Sequence, residues 1–178
     1  MGPVKNQGNH EVCWALVSAE LVSVVRYVRG HDRVKVDYSI QDIVDFTNKE
    51  ERRLRKDTGH YCYPWTIEDT LTVLHEHPVA AEIPIFVPEY TNIENKIYRG
   101  PTTSSSVFTS MHAVNIIGAA TEENGEKYVY VRSSHGETLG VNGNLKVSIE
   151  IMMMCLTPGV WEISTVLNRY VCLSRNMP

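Results

Sequence analysis

The residues best placed to do chemistry stand near the amino terminus, where Gln7 precedes Cys13 by six positions in the run QGNHEVCWAL. Cys13 falls at the head of an apolar pattern of helical spacing over residues 12–28, with Gly30 beyond it as a stop signal. Backbone N–H groups at a helix start favour negative charge, so a thiol there ionises more readily and becomes nucleophilic near neutral pH. A glutamine carboxamide within reach can donate to the oxyanion that such a thiolate creates on a carbonyl, alongside the cysteine's own N–H. The competing reading of Cys13 is a small hydrophobe buried in an amphipathic helix. A second cluster, His60, Cys62, His75 and His77, has the spacings H-x-C and H-x-H rather than C-x-x-C, which argues against a zinc site.

The elements that must position these residues change character along the chain. After the first helix, residues 39–47 predict a short helix capped by Ser39, with Asp42 in its first turn, and residues 66–74 predict a third helix capped by Thr66. The charged run KEERRLRKD at 49–57 reads as a solvated loop or helix end. From Pro78 the texture becomes strand-like: PVAAEIPIF, HAVNIIGAA, KYVYVRSS and NLKVSIEIMMM, punctuated by ENGE and VNGN. Residues 100–110 (GPTTSSSVFTS) read as a polar loop. The tail from Thr157 reads as a strand or a short helix. Helices followed by strands predict an α+β fold, with a helical lobe over residues 1–75 and a β-rich lobe over 76–178 in one domain.

At 178 residues and 43% hydrophobic, the chain is long enough to bury a core, and a net charge of -4 with pI near 6.0 argues against nucleic acid or an anionic membrane as partner. No apolar run reaches the roughly 18 residues of a membrane span, and MGPVKNQG lacks the basic-then-apolar pattern of a secretory signal. Four cysteines (Cys13, Cys62, Cys155 and Cys172) are sparse for a disulfide scaffold and are expected to be free thiols. A bridge in the tail, if one forms, is expected between Cys155 and Cys172. Few disulfide candidates favour a reducing, intracellular compartment.

The run GPVKNQG followed by CWAL resembles the mature amino terminus of papain-like cysteine peptidases. SIQDIVDF at 39–46, YPWTIEDTL at 63–71, HPVAAEI, YRGP, MHAVNIIGA and VRSSHGETLGVNG are similar to later family motifs in the family's order, together covering somewhat more than half the chain. The resemblance implies a two-lobe papain-like fold and a cysteine-type endopeptidase. In it Cys13 is the nucleophile, His112 the base, Gln7 an oxyanion donor and Ser133 the residue that orients the imidazole. It places Trp14, Tyr61, Cys62, Met111 and His135 beside the substrate. It implies no cofactor, peptide or protein substrates, cystatin-type inhibitors, and a lysosomal, vacuolar or extracellular home.

Several positions depart from the resembled pattern. Ser133 stands where the family has asparagine and His135 where it has tryptophan, so the imidazole is held by shorter or different groups, and lost orientation lowers rate steeply. Glu11 replaces a glycine beside the nucleophile, where it either obstructs the path of a substrate backbone or turns to solvent, and Cys62 replaces a cleft glycine, where its side chain can narrow the neighbouring subsites. His10, Phe46 and Gly59 occupy family bridge positions, and each absent bridge removes roughly 2–5 kcal/mol. His112 follows Cys13 by 99 residues, shorter than the about 130–150 expected, with the missing length between Leu74 and His77. These changes keep open a second reading: an impaired homologue that binds peptides or inhibitors without cutting them.

Overall fold

The computed structural model describes residues 1–46, 61–62, 66–157, 160–165 and 168–173. The charged run at 49–57, the YPW segment at 63–65 and His60 lie outside the described residues. Helix α1 (Cys13–Val28) buries Ala15, Leu16, Val17, Ala19, Leu21 and Val25, the stripe its spacing predicts. Gly30, at φ +74°, turns the chain away after it, a conformation that suits glycine. Helix α2 (Ile40–Phe46) starts beside Ser39, whose hydroxyl oxygen accepts from the Asp42 N–H at 3.1 Å. Helix α3 (Ile67–Leu74) starts with a reciprocal pair: Thr66 Oγ1 accepts from Asp69 N at 3.1 Å and Asp69 Oδ2 from Thr66 N at 3.3 Å.

Among the described residues, nine strands follow the helices or sit between them: β1 (Tyr61–Cys62), β2 (Val79–Val87), β3 (Ile97–Tyr98), β4 (Val107–Thr121), β5 (Lys127–Arg132), β6 (Asn144–Ser148), β7 (Met152–Thr157), β8 (Val160–Thr165) and β9 (Asn168–Leu173). Seven make one sheet in the order β1-β9-β2-β4-β5-β6-β3, antiparallel except for the β3–β6 pair, and β7 with β8 makes a second. The chain is therefore α+β, with an antiparallel-rich sheet.

Two sequence expectations change here, and one open reading, the tail, resolves to strand. Residues 107–110 are strand rather than loop, because β2 runs on to Val87 and supplies them with a ladder, Val87 lying opposite Val107. The run 144–154 is divided between the two sheets, β6 in one and β7 in the other. The tail forms strands β8 and β9, and β9 inserts between β1 and β2. That register sets Cys172 opposite Cys62, while Cys155 lies opposite Glu162, so the tail's own cysteines are not ladder partners.

Alternation along the strands builds the core. Val79, Ala81 and Ile83 of β2, Val114 and Ile116 of β4, Val129 and Val131 of β5, and Leu145 and Val147 of β6 pack together with Tyr98, and Leu71 and Leu74 of α3 pack against them. Fully burying an aliphatic side chain of this size stabilises by about 1.5–3 kcal/mol. Asn115, between Val114 and Ile116, serves the other face: its Nδ2 donates to Val17 O at 3.3 Å and Glu20 Oε2 at 3.4 Å on α1. Arg132, its register partner on β5, donates Nε to both Glu20 oxygens at 3.2 and 3.1 Å, and Nη2 to Gly2 O and Pro3 O at 2.6 and 2.5 Å. One buried guanidinium thus ties the helix that begins at Cys13 and the amino-terminal segment to the strand that ends beside Ser133.

Candidate active site

Cys13 is the first residue of α1 and is half-buried. Val12, in the cap position, makes no side-chain capping bond, and the first turn carries no acidic residue, so the positive end of the helix dipole faces the thiol without a competing carboxylate in that turn. Glu11, just before it, is exposed.

The amino-terminal segment lies along the end of β5. Asn6 bridges His135, Gln7 N donates to Ser134 O at 2.8 Å, and Gly136 N donates to Lys5 O at 3.2 Å. The Ser134 hydroxyl donates to Gln7 Oε1 at 2.5 Å, and Gln7 Nε2 donates to His10 O at 2.9 Å, so both ends of the carboxamide are fixed. Gly143 makes this close approach possible. It sits at φ +75°, a Cβ there would come within 2.6 Å of Val4, and its carbonyl accepts from Ser133 N at 3.1 Å.

His112 lies on β4 opposite Ile83 and is 2% exposed. Its Nε2 is 3.4 Å from Ser133 Oγ, and its ring stacks on His135 at 4.2 Å between centroids and 14° between planes. Burial, with the neighbouring His135, pushes the His112 pKa down to about 3, and burial also lowers that of His135. Both rings are therefore neutral near pH 7. Tyr90 completes the group: its hydroxyl is 3.0 Å from Ser133 Oγ and 3.0 Å from His135 Nδ1, and its ring meets His112 and His135 edge-on. Burial drives its phenol above the usual range.

Of the residues singled out by sequence, Gln7, His112, Ser133 and His135 share one hydrogen-bonded and stacked assembly, linked through Ser134. Trp14, next to Cys13, is half-buried, and its carbonyl accepts from Ser18 Oγ at 2.7 Å. Met111 is exposed on β4 beside His112. Tyr61 and Cys62 form the edge strand β1, with β9 and β2 between it and β4. Sequence reading missed Ser134 and Tyr90. Ser134 had a signal: consecutive serines at a strand end project to opposite sides, and here Ser133 reaches His112 while Ser134 reaches Gln7. Tyr90 had none, since its partners lie 43 and 45 residues away. A surface depression of about 410 Å³ lined by Ile117, Tyr130, Val141 and Lys146 contains none of these groups. Among the described residues, no cluster of three or more His, Cys, Asp or Glu is arranged to hold a metal ion.

Neither a protein-family model nor a curated protein matches the sequence. Solved structures do match. The proform of the Amb a 11 cysteine protease, a major ragweed pollen allergen, superposes with a TM-score of 0.66 at 20% identity, over 83% of this chain and 56% of that one. The bromelain protease from Ananas comosus in complex with the E-64 inhibitor gives 0.66 at 15% identity over 97% and 93% of the two chains. A Carica candamarcensis cysteine protease, also with E-64, gives 0.67 at 15% over 99% and 94%. The chain has the fold of the papain-like cysteine proteases in a shortened form, and it spans little more than half of the ragweed proform.

Proposed function

We propose that the chain is a cysteine-type endopeptidase of low turnover. Cys13 Sγ attacks the carbonyl carbon of a peptide while its proton passes to Nδ1 of His112, the ring nitrogen left over from the Ser133 contact. The oxyanion is met by the Cys13 N–H and by Gln7 Nε2, whose amide orientation is set by Ser134 and His10. Collapse breaks the C–N bond, the amine leaves with the His112 proton, and water delivered through His112 then hydrolyses the thioester and returns the thiol. Trp14, Met111 and His135 flank the substrate. Peptides and proteins are the substrates, and cystatin-type proteins are the fitting inhibitors.

The observation that carries this reading is that one strand end holds both halves of the machinery: Ser133 contacts the imidazole and Ser134 the carboxamide. A second reading, a peptide- or inhibitor-binding homologue without turnover, draws on the depressed His112 pKa of about 3, because a ring that resists protonation stabilises the thiolate poorly. Labelling by an epoxysuccinyl inhibitor decides between them. Alkylation of Cys13, with peptide cleavage that Cys13→Ser abolishes, is the result expected of the peptidase. Reversible inhibitor binding with neither alkylation nor cleavage selects the binding module.

A further inference from the structure

Tyr90 enters the site from the connection between β2 and β3, and it is 4% exposed. Its ring is fixed edge-on against Tyr98 at 5.7 Å, and Tyr98 is itself tied down, accepting from Phe86 N and donating to Pro84 O, both at 2.8 Å. A buried phenol hydroxyl needs partners, and Tyr90 has two, Ser133 Oγ and His135 Nδ1.

These contacts make a single file of four polar atoms: His112 Nε2, Ser133 Oγ, Tyr90 Oη and His135 Nδ1, spaced 3.4, 3.0 and 3.0 Å. Each hydroxyl has one proton, so the file has two polarities. In one, His112 Nε2–H donates to Ser133, Ser133 to Tyr90, and Tyr90 to the His135 Nδ1 lone pair. In the other every donor reverses, Ser133 donates to Nε2, and the only ring proton of neutral His112 sits on Nδ1, where no thiol proton can be taken up. The first polarity matches the better donor, a phenol, to an imidazole nitrogen at 3.0 Å; the second would give the serine that role at 3.4 Å.

We propose that Tyr90 is a positioning residue for His112: by donating to His135 Nδ1 and accepting from Ser133, it sets the direction of the file and keeps the His112 proton on Nε2. The inference rests on reading His112 as the base. Without the phenol hydroxyl, the Ser133 proton has His112 Nε2 at 3.4 Å and His135 Nδ1 at 3.5 Å as alternative acceptors, and the productive tautomer is no longer selected. Neutral rings are needed for this, and burial supplies them.

The direct test is imidazole nitrogen NMR on the wild type and on Tyr90→Phe, which keeps the ring and its edge-on contacts. His112 is expected as the Nε2–H tautomer in the wild type and as Nδ1–H or a mixture in the variant; an unchanged tautomer overturns the proposal. If Tyr90→Phe does not fold, His135→Phe removes the acceptor at the far end and is expected to give the same shift, with an unchanged tautomer again decisive against it. Kinetically, Tyr90→Phe is expected to lower kcat by about tenfold with KM within about twofold. In a Ser133→Asn background, where a carboxamide oxygen accepts from Nε2–H, the same change is expected to alter kcat by less than about twofold. A full tenfold loss there means that Tyr90 acts by some route other than Ser133. If Cys13 is neither alkylated nor active in the wild type, the peptidase reading fails, and the tautomer measurement alone still decides what Tyr90 does.

Discussion

Arg132 and Ser133 are neighbours in the chain, yet one anchors a charged clamp and the other a neutral network. Arg132, 6% exposed, pairs with Glu20 and holds α1 and the amino-terminal segment against the sheet. One residue later, Ser133, Tyr90 and His112 are just as buried and His135 is half-buried, but none carries a charge near neutral pH. The clamp gives fixed geometry because a buried ion pair tolerates little displacement. The network gives proton direction, because neutral donors and acceptors can reverse roles. Among the described residues, full charges thus serve assembly, and no carboxylate acts on the imidazole to stabilise its charged form.

The largest expected effect tests the clamp. Arg132→Met leaves the half-buried Glu20 carboxylate with only the long contact from Asn115 Nδ2 and is expected to destabilise by about 2–4 kcal/mol in urea unfolding, while Glu20→Met/Arg132→Met recovers most of that loss. A single-variant loss below about 1 kcal/mol would show the pair to be solvated like a surface bridge.

Next comes pH, which reads the network. The folded-state His112 pKa of about 3 lies below its ordinary 6.5, so above pH 6.5 neither state binds the proton. Below it the unfolded chain is protonated and the native one is not. Stability is therefore full above pH 6.5 and is lost as pH falls toward 3, at up to about 1.4 kcal/mol per pH unit from His112, with His135 acting in the same direction. Glu89, held to about 2 by Ser106 and Thr102, and Glu126, held low by Arg99, contribute losses around and below their ordinary 4.5, and Asp32, held low by Arg26, below its ordinary 3.8, so the interval above about pH 5.5 isolates the histidines. The measurement is unfolding free energy from pH 7 to about 5.5, and His112→Asn should flatten the slope; an unaltered slope would place the proton uptake elsewhere.

A smaller change is expected from Ser133→Asn. A longer acceptor should hold the His112 Nε2–H more firmly and raise kcat by about tenfold, equivalent to about 1.4 kcal/mol, with a lesser effect on KM. Unchanged kcat combined with faster turnover on truncating Glu11 would shift the limiting defect to the cleft entrance. The smallest is a control outside both regions: Thr66→Ala breaks the α3 capping box, costs about 1 kcal/mol, and should leave kcat untouched.

Local signals in the sequence were enough for much of this. Ser39, Thr66 and Gly30 mark their helix ends because each acts on backbone groups within a few residues. The apolar spacing that begins at Cys13 places it at a helix start, and the alternation in PVAAEIPIF and HAVNIIGAA predicts strands β2 and β4. Tertiary structure alone decided what each polar group faces. Residues 107–110 become strand only because β2 lies beside them, and β9 is placed by pairing with β1 on one side and β2 on the other. Glu20 meets Arg132 across 112 residues, Ser134 meets Gln7 across 127, and Tyr90 meets Ser133 across 43. No spacing encodes such pairs, because a hydrogen-bonding group is chosen by what else is buried within about 3 Å of it, and that is known only once the core has closed.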